Sequence, residues 1–119
     1  MLTFRKQDRL RTPLEFKRVY DRKCSVSNQC LIVYGCPNDV GRLRLGVSVS
    51  RRIGNAVARN RFKRLYREAF RLGRAELPTG YDVIVLPRSA RAPTQDEVKQ
   101  SLRMLIPAVV RRLVQSGKK

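Results

Sequence analysis

The residues of this chain whose types and spacing can do chemistry are the cations of residues 51–74. Nine of these 24 residues are Arg or Lys, and Glu68 is the one acid among them. Ordinary surface helices interleave acids with bases, because i,i+4 pairs of opposite charge stabilise a helix and like-charged pairs repel. The pattern therefore favours a surface that binds phosphate over a helix face that merely contacts water.

The composition of the whole chain agrees with a polyanionic partner. Its 119 residues contain 27 Lys plus Arg and 9 Asp plus Glu, which gives a net charge of +18 and a pI of about 11.3. Such a charge exceeds what solubility requires and indicates nucleic acid. A membrane is the competing polyanion, but no segment approaches the roughly 20 apolar residues of a spanning helix, and residues 1–11 lack a signal-peptide run. We therefore expect a cytoplasmic protein without a membrane partner.

The residue types needed for catalysis by the protein itself are scarce. The chain has no histidine to act as a general base, and its only adjacent acids, Asp96 and Glu97, are explained by a helix start. Cys24, Cys30 and Cys36 have spacings that match neither a redox pair nor a zinc ribbon, so reduced thiols are expected. We expect no catalytic residue, no metal site and no small-molecule cofactor in this chain.

The basic stretch is predicted to be a helix with two distinct faces. Asn55 can cap its N-terminus, and nothing between residues 56 and 72 breaks a helix. At 100° per residue, one stripe is apolar and predicted to be buried: Ala58, Phe62, Leu65, Ala69 and Leu72. A nearly opposite stripe is basic: Lys63, Arg64, Arg67, Arg71 and Arg74. Arg59 and Arg61 lie about 200° apart, so either they flank the basic stripe or the first residues lie outside regular helix.

The N-terminal part of the chain is predicted to be an arm followed by a short helix. Residues 1–11 are basic and lack periodicity, so we expect a flexible arm. Thr12, Pro13 and Glu15 form the capping-box arrangement, and the helix that they begin is predicted to end near Arg22.

Two aromatic residues of this short helix have two possible roles. Phe16 and Tyr20 share one face with Val19. Both rings could belong to the core, or one or both could edge a groove in which unpaired bases stack.

Residues 30–36 and 43–50 are predicted to be strands that pair as a hairpin. The first is rich in β-branched residues, and the second alternates apolar and polar residues. The polar side of the second strand, with Gly46, Ser48 and Ser50, could face water, or it could leave room for a backbone or a phosphate.

The C-terminal part is predicted to contain a buried strand and a helix. Residues 81–86 are apolar enough to be buried on both sides, so strand, basic helix and strand form a crossover unit. Thr94 and Glu97 form a second capping box, and Pro107 is expected to kink or interrupt the helix that follows. Apolar residues occur in that helix at helical spacing: Val98, Leu102, Leu105, Val109 and Leu113.

The run from Leu45 to Arg71, LGVSVSRRIGNAVARNRFKRLYREAFR, resembles the signature of the bacterial ribonuclease P protein family. The Arg-Asn-Arg core of that signature is matched by residues 59–61. The resemblance extends to residues 9–10, 15–20 and 81–88, so it covers most of the chain, and only the C-terminal third is generic.

The resemblance implies a fold. It is an α+β fold, an α/β sandwich with the order α-β-β-α-β-α, similar to the second domain of ribosomal protein S5. The small sheet would contain a left-handed βαβ crossover, a hand opposite to the usual one. Residues 1–119 would form a single RNA-binding domain.

The resemblance also implies a function. The chain would be the protein subunit of the ribonuclease P ribonucleoprotein, an endonuclease that hydrolyses precursor tRNA to remove the 5′ leader during tRNA processing. The catalytic centre would lie in the RNA subunit, and Mg²⁺ would be held by that RNA. The partners would be the catalytic RNA and precursor tRNA.

Two sets of binding residues follow from the same resemblance. The residues expected to bind the RNA subunit are Arg51, Arg52, Asn55, Arg59, Asn60, Arg61, Lys63, Arg64 and Arg67. The residues expected to bind the leader of precursor tRNA are Phe16, Tyr20, Tyr34, Ser48, Ser50 and Arg88.

Two other classes of protein fit the charge. A basic ribosomal or RNA-chaperone-like protein would share charge and fold but would lack a cleavage role. A major-groove DNA reader fits less well, because no short helix precedes the basic helix at helix-turn-helix spacing.

Overall fold

A computed structural model describes residues 6–116, with only the backbone described at Lys6. Within these residues the element order is α1-β1-β2-β3-α2-β4-α3. The helices are α1 (Pro13–Asp21), α2 (Ala56–Gly73) and α3 (Gln95–Ser116). The strands are β1 (Ser25–Ser27), β2 (Leu31–Pro37), β3 (Arg44–Val47) and β4 (Tyr81–Pro87). Short 3₁₀ turns are formed by Lys6–Asp8, Arg51–Ile53 and Arg74–Glu76.

The four strands form one mixed sheet in the order β1-β2-β4-β3. β2 is antiparallel to both β1 and β4, whereas β3 is parallel to β4. The unit β3-α2-β4 is therefore a parallel crossover, as predicted. This is an α+β fold, with α1 packed on one face of the sheet and α2 and α3 on the other.

The predicted hairpin between residues 30–36 and 43–50 is wrong, because β4 lies between β2 and β3. The loop that leaves β2 passes the start of β4, where the Asn38 amide donates to the Gly80 carbonyl at 2.9 Å and the Gly80 amide donates to Arg42 at 3.2 Å. β4 is buried on both faces, as predicted, so it occupies the centre of the sheet. The hairpin in the structure joins β2 to β1, a three-residue strand that the sequence analysis missed.

Helix α2 begins and ends within one residue of its predicted bounds. The side-chain oxygen of Asn55 accepts a hydrogen bond from the Ala58 amide at 2.9 Å, which confirms the N-cap. The predicted apolar stripe is only partly correct, since Leu72 is 39% exposed and the helix buries two aromatic residues beside the stripe. The buried residues of α2 are Phe62, Tyr66, Ala69 and Phe70. Large aromatic rings turn toward the sheet because they bury the most apolar area.

Helix α3 buries all five residues that its spacing predicted. The hydroxyl of Thr94 accepts from the Glu97 amide at 3.1 Å and the Glu97 carboxylate accepts from the Thr94 amide at 2.8 Å, so the capping box is confirmed. Pro107 lies inside a helix that continues to Ser116. The carbonyl that loses its helical donor belongs to Arg103, a residue on the exposed side of the helix, which explains why Pro107 does not end it.

The segment before α1 corrects the prediction of a flexible arm over residues 1–11. Leu10 is 5% exposed, and its amide donates to the Leu45 carbonyl at 2.9 Å. Arg9 pairs with Leu45 as an isolated parallel bridge, and the buried Asp8 forms an ion pair with Arg74 at 2.8 Å. One apolar anchor and one buried carboxylate therefore fix residues 8–10 to the domain. Residues 1–5 of the predicted arm lie outside the described residues.

Candidate nucleic-acid interface

Most carboxylates of the chain lie within ion-pair distance of a cation of the same domain. Seven of the nine acids do so, and they hold a particular set of cations in place. The cations of these pairs are Lys17, Arg18, Arg42, Arg44, Arg71, Arg74, Arg91 and Arg103. Among residues 6–116, no three acids or cysteines converge into a group that could hold a metal ion. The acids therefore support the fold.

The most deeply buried acid of these ion pairs is Asp82, which is fully inaccessible. Its two oxygens accept from Nε and Nη2 of Arg44, both at 2.8 Å, and from Nδ2 of Asn38 at 2.7 Å. Arg18 of α1 also bonds to Asp82, so the charge cluster attaches α1 to β4. The hydrogen bonds to Asp82 raise the pKa of Arg44 above its usual range. Arginine at this end of the sheet is structural.

The residues predicted to bind the RNA subunit form one basic surface, which we call the α2 surface. Its members are Arg51, Arg52, Asn55, Arg59, Asn60, Arg61, Lys63, Arg64 and Arg67. Its seven cations form no ion pair with a carboxylate in the described part of the chain. A polyanion can therefore bind them without breaking an internal ion pair.

The α2 surface begins on the 3₁₀ turn that precedes the helix. Arg51 and Arg52 are exposed on this turn, and Gly54 ends it with a φ of 155° that favours glycine. The side chain of Asn55 is used by the helix cap, so of this set it is the member with a clear structural role. The turn and the cap place the first two arginines beside the start of α2.

Arg59 and Arg61 both lie inside regular helix, because α2 starts at Ala56. They therefore flank the basic stripe. Nε of Arg59 donates back to the Asn55 carbonyl at 3.4 Å, whereas Arg61 is exposed beside an apolar groove lined by Phe62 and Pro93. Of the two arrangements that the spacing allowed, the flanking one is correct.

The second candidate surface is the part of the sheet that α1 leaves open. Side chains on this face form cross-strand rows, since alternate residues of each strand point to it. One row contains Ser27, Ile32 and Leu86, which are opposite one another, and Ser48 follows β3 next to Leu86. Ile32, Leu86 and Ser48 are half-buried, whereas Asp82 at the other end of the sheet is fully buried beneath Arg18 of α1.

Tyr20 and Tyr34 border this open row. Their ring centroids lie 5.0 Å apart with an interplanar angle of 77°, an edge-to-face contact. Burial raises the pKa of Tyr20, and a hydrogen bond with the Ser48 side chain opposes that shift. Three of the predicted leader-binding residues are therefore in one place. We call the group formed by Tyr20, Ile32, Tyr34, Ser48 and Leu86 the open sheet face.

Phe16 is half-buried and packs against Gly46. A Cβ atom at position 46 would lie 2.9 Å from Cζ of Phe16, so only glycine allows this approach. The space that Gly46 leaves on the polar side of β3 is therefore occupied by the ring of Phe16. The sequence had left open whether water or a bound phosphate would occupy it. Phe16 belongs to the same apolar cluster as Tyr20, Tyr34 and Leu86.

The remaining two predicted leader-binding residues lie at the margins of the open sheet face. Arg88 is exposed after β4, and its Nη1 donates to Oγ of Ser27 at 2.9 Å. Ser50 is exposed where the chain turns toward Arg51. The sequence analysis missed Ile32 and Leu86, although the two-residue spacing of Ile32 from Tyr34 in a strand could have identified the former.

The sheet, the unmatched cations and the open aromatic face define the class as a small, basic, nucleic-acid-binding α+β protein. Residues 4–110 match the family model described as Ribonuclease P. The chain is 41% identical over 103 residues to the ribonuclease P protein component of Thermoanaerobacter sp. (strain X514), which covers 86% of this chain and 89% of that protein. The chain belongs to the ribonuclease P protein family.

Solved structures agree with this assignment. The RNase P protein from Thermotoga maritima superposes with a TM-score of 0.71 at 32% identity, covering 79% of this chain and 90% of that one. A Staphylococcus aureus RNase P protein mutant with defective mRNA degradation activity gives 0.74 at 34% identity, covering 89% and 90%.

Membership of this family establishes the general role of the chain. It is the protein component of ribonuclease P, an endoribonuclease of tRNA 5′ processing that works as a ribonucleoprotein. The partner of the chain is an RNA subunit, which is the catalytic part of the ribonucleoprotein. In residues 6–116 no helix is long and apolar enough to cross a membrane.

Proposed function

We propose that the α2 surface binds the catalytic RNA and that the open sheet face binds the 5′ leader of precursor tRNA. The chain then promotes removal of the leader by holding substrate and catalyst together. The observation that carries this proposal is the separation of the two surfaces, since unmatched cations occupy one and paired aromatic rings border the other.

Contacts to phosphate account for the first half of the proposal. Guanidinium and ammonium groups make charge-assisted bonds to phosphate regardless of sequence, as a folded RNA subunit requires. Within residues 6–116, the cations of the α2 surface form no ion pair with a carboxylate that would compete with that RNA. A rigid 18-residue helix also fixes their spacing.

Stacking accounts for the second half. An unpaired base can pack on Tyr20, Tyr34 or the apolar floor of Ile32 and Leu86, and stacking is worth roughly 1–3 kcal/mol per base. Arg88 and the exposed Ser50 flank this floor, where they can bond to the strand's phosphates. A leader is single-stranded, so its bases are free to use such a surface.

The metal chemistry belongs to the RNA in this proposal. Metal-assisted hydrolysis of a phosphodiester needs Mg²⁺ held by converging oxygen ligands. In the described part of the chain, Asp82 is buried among arginines and the other acids do not converge. These residues support placing Mg²⁺ on the RNA partner.

The S. aureus relative raises degradation of RNA by the protein as a second candidate function. The same engaged carboxylates argue against it here. Purified protein incubated with RNA over a range of Mg²⁺ concentrations is expected to leave the RNA intact. Cleavage that is lost on replacing one carboxylate would establish a protein-borne site.

Reconstitution tests the main proposal. The chain is mixed with a bacterial ribonuclease P RNA at low Mg²⁺, and precursor tRNAs with leaders of one nucleotide or several nucleotides are supplied. The protein is expected to increase specific 5′ cleavage, and more strongly for the long leader. A basic ribosomal or chaperone-like protein would give no such increase, and that result would overturn the proposal.

A further inference from the structure

Two grooves on the described surface meet at Arg9 and Arg67. The first runs along α2, where it is also lined by Asn60, Lys63 and Arg64. The second lies between the N-terminal segment, α1 and β3. Because Arg9 and Arg67 line both, a strand can pass from one groove to the other between these two side chains.

The second groove combines apolar and basic groups. Phe16 and Val47, both half-buried, contribute to its floor, and Arg11 joins Arg9 and Arg67 at its margin. A floor with an aromatic ring suits a base, and guanidinium groups around it suit the adjoining phosphates. This arrangement has the chemistry of a nucleotide site.

Arg9 is held on a fixed part of the backbone. It pairs with Leu45 at the edge of β3, and the next residue, Leu10, is buried with its amide bonded to the Leu45 carbonyl at 2.9 Å. On its other side, Asp8 is bound to Arg74 at 2.8 Å. Contacts on both sides therefore direct Arg9 toward α2 at little further entropic cost.

The approach of Arg9 to Arg67 is electrostatically unfavourable in the free protein. Burial and the charge of Arg9 together lower the pKa of Arg67. The adjacent acid, Glu68, is bound by Arg71, whose Nε donates to Oε2 at 3.1 Å. An anion between Arg9 and Arg67 would offset both the repulsion and the desolvation.

We propose that Arg9 and Arg67 jointly bind one phosphodiester of a single-stranded RNA segment that runs from the α2 groove into the groove beside Phe16. The proposal rests on the proposed function and adds Arg9 to its contacts. On one side of the shared phosphate, Lys63 and Arg64 bind the preceding backbone. On the other side, a base packs on Phe16 and Val47.

A double-mutant cycle tests whether one phosphate is shared. The variants are Arg9→Gln, Arg67→Gln and both together, with Arg111→Gln, an exposed α3 cation, as the control for loss of charge. Each single variant is expected to bind RNA about tenfold more weakly, because a charge-assisted bond is lost. The double variant is expected to lose about ten- to thirtyfold rather than a hundredfold, since the second arginine alone holds the phosphate poorly.

The dependence of affinity on salt gives a second readout. Loss of one neutralised phosphate lowers the magnitude of the log-log slope by about 0.7–0.9. The double variant is therefore expected to lower it by that amount once. Independent losses that multiply to a hundredfold, with twice that change in slope, would show two separate phosphates and overturn the proposal.

Two binding experiments identify the RNA that supplies the phosphate. The first measures affinity for the ribonuclease P RNA alone, and the second measures affinity of the assembled holoenzyme for precursor tRNAs with short and long leaders. A loss in the first experiment places the phosphate in the RNA subunit, and a loss only with long leaders places it in the leader. Affinities equal to those of the Arg111→Gln variant in both experiments would overturn the inference.

The behaviour of the unmodified protein shows whether a failure concerns this inference or the proposed function. If the unmodified protein fails to assemble or to promote cleavage, the proposed function fails. If it succeeds and the cycle shows no coupling, only the shared phosphate is wrong. Should Arg9→Gln fail to fold, Arg9→Lys keeps the charge but loses the planar fork, and it is expected to weaken binding about threefold. Unchanged affinity of this variant would contradict the binding of one phosphate by Arg9 and Arg67 together.

Discussion

The arginines beneath α1 and the arginines of the α2 surface differ in what neutralises them. Arg18 and Arg44 bind the buried carboxylate of Asp82. Arg61 and Arg64 are exposed and have no carboxylate partner among the described residues. The same side chain therefore attaches a helix to the sheet in one region and remains available for RNA in the other. In a very basic chain, charge alone does not separate structural arginines from available ones, whereas the position of the few acids does.

Removing the carboxylate of Asp82 is expected to have the largest effect of the substitutions that test this comparison, and the effect is on the free energy of unfolding. Asp82→Asn removes the closest counter-charge of the largely buried Arg44 and leaves it, among the described residues, only the ion pair with Glu15 at 3.5 Å, so the free energy of unfolding should fall by about 3 kcal/mol. Urea denaturation measures this change. As a control, Asp21→Asn removes an exposed carboxylate paired with Lys17 and should cost less than about 0.5 kcal/mol. Equal effects of the two variants would mean that the cluster beneath α1 does not hold the fold.

Removing cations from the other region is expected to affect assembly and leave stability nearly unchanged. Arg59→Ala with Arg61→Ala should weaken binding of the RNA subunit by about 1.5–3 kcal/mol through lost charge-assisted bonds. Filter binding and thermal melting measure the two quantities separately. Lys99→Ala with Arg111→Ala removes the same charge from α3 and should weaken binding less. A fall in melting temperature with unchanged affinity would reverse the roles assigned to the two groups of arginines.

Tyr20→Ala tests whether the open sheet face is distinct from the α2 surface. Binding of a long-leader precursor should weaken by roughly 1–3 kcal/mol, while RNA-subunit binding and a one-nucleotide leader are nearly unaffected. Tyr20→Phe keeps the ring but loses the hydrogen bond with Ser48, so it should bind almost as the parent does. Melting curves must accompany these assays, because Tyr20 is half-buried. A stable Tyr20→Ala variant with unchanged leader dependence would remove Tyr20 from the leader path.

The smallest expected effect concerns the acid that joins the α1 cap to Arg44. Backbone hydrogen bonds from Arg11 and Thr12 lower the pKa of Glu15. A lowered folded-state pKa contributes stability above the unfolded value near 4.5, and this contribution is lost as pH falls through the folded value. The parent should therefore lose more stability than Glu15→Gln between about pH 5 and 3. Parallel melting curves for both proteins across that range would contradict the capping role.

Local signals in the sequence were sufficient for the helices. Asn55, Thr12 and Thr94 each cap a helix as predicted, because capping depends on residues within three positions. The pairing of strands depends on distant residues, so the central position of β4 was not predicted. The left hand of the crossover likewise came from the family resemblance, since periodicity carries no information about handedness.

The part of the candidate site that depends on residues near one another in the sequence was predicted better than the part that depends on strand pairing. Helical periodicity predicted a basic stripe on α2, of which Lys63, Arg64 and Arg67 form no ion pair in the described residues whereas Arg71 and Arg74 do. The other members of the α2 surface came from the family resemblance. The open sheet face depends on register and on how much of the sheet α1 covers, so Ile32 and Leu86 were missed, and the contact of Phe16 with Gly46 was not predicted. Arg9 was assigned to a flexible arm because its pairing with Leu45 is a contact across 36 positions of the chain.

That pairing has a consequence for how copies of the protein behave toward one another. β3 is an outer strand of the sheet, and an unprotected outer strand can recruit a strand from a second molecule. The backbone of Arg9 and Leu10 occupies part of this edge, and the side chain of Arg9 places a positive charge there. The N-terminal segment therefore protects the protein against edge-to-edge association, and its removal would favour aggregation.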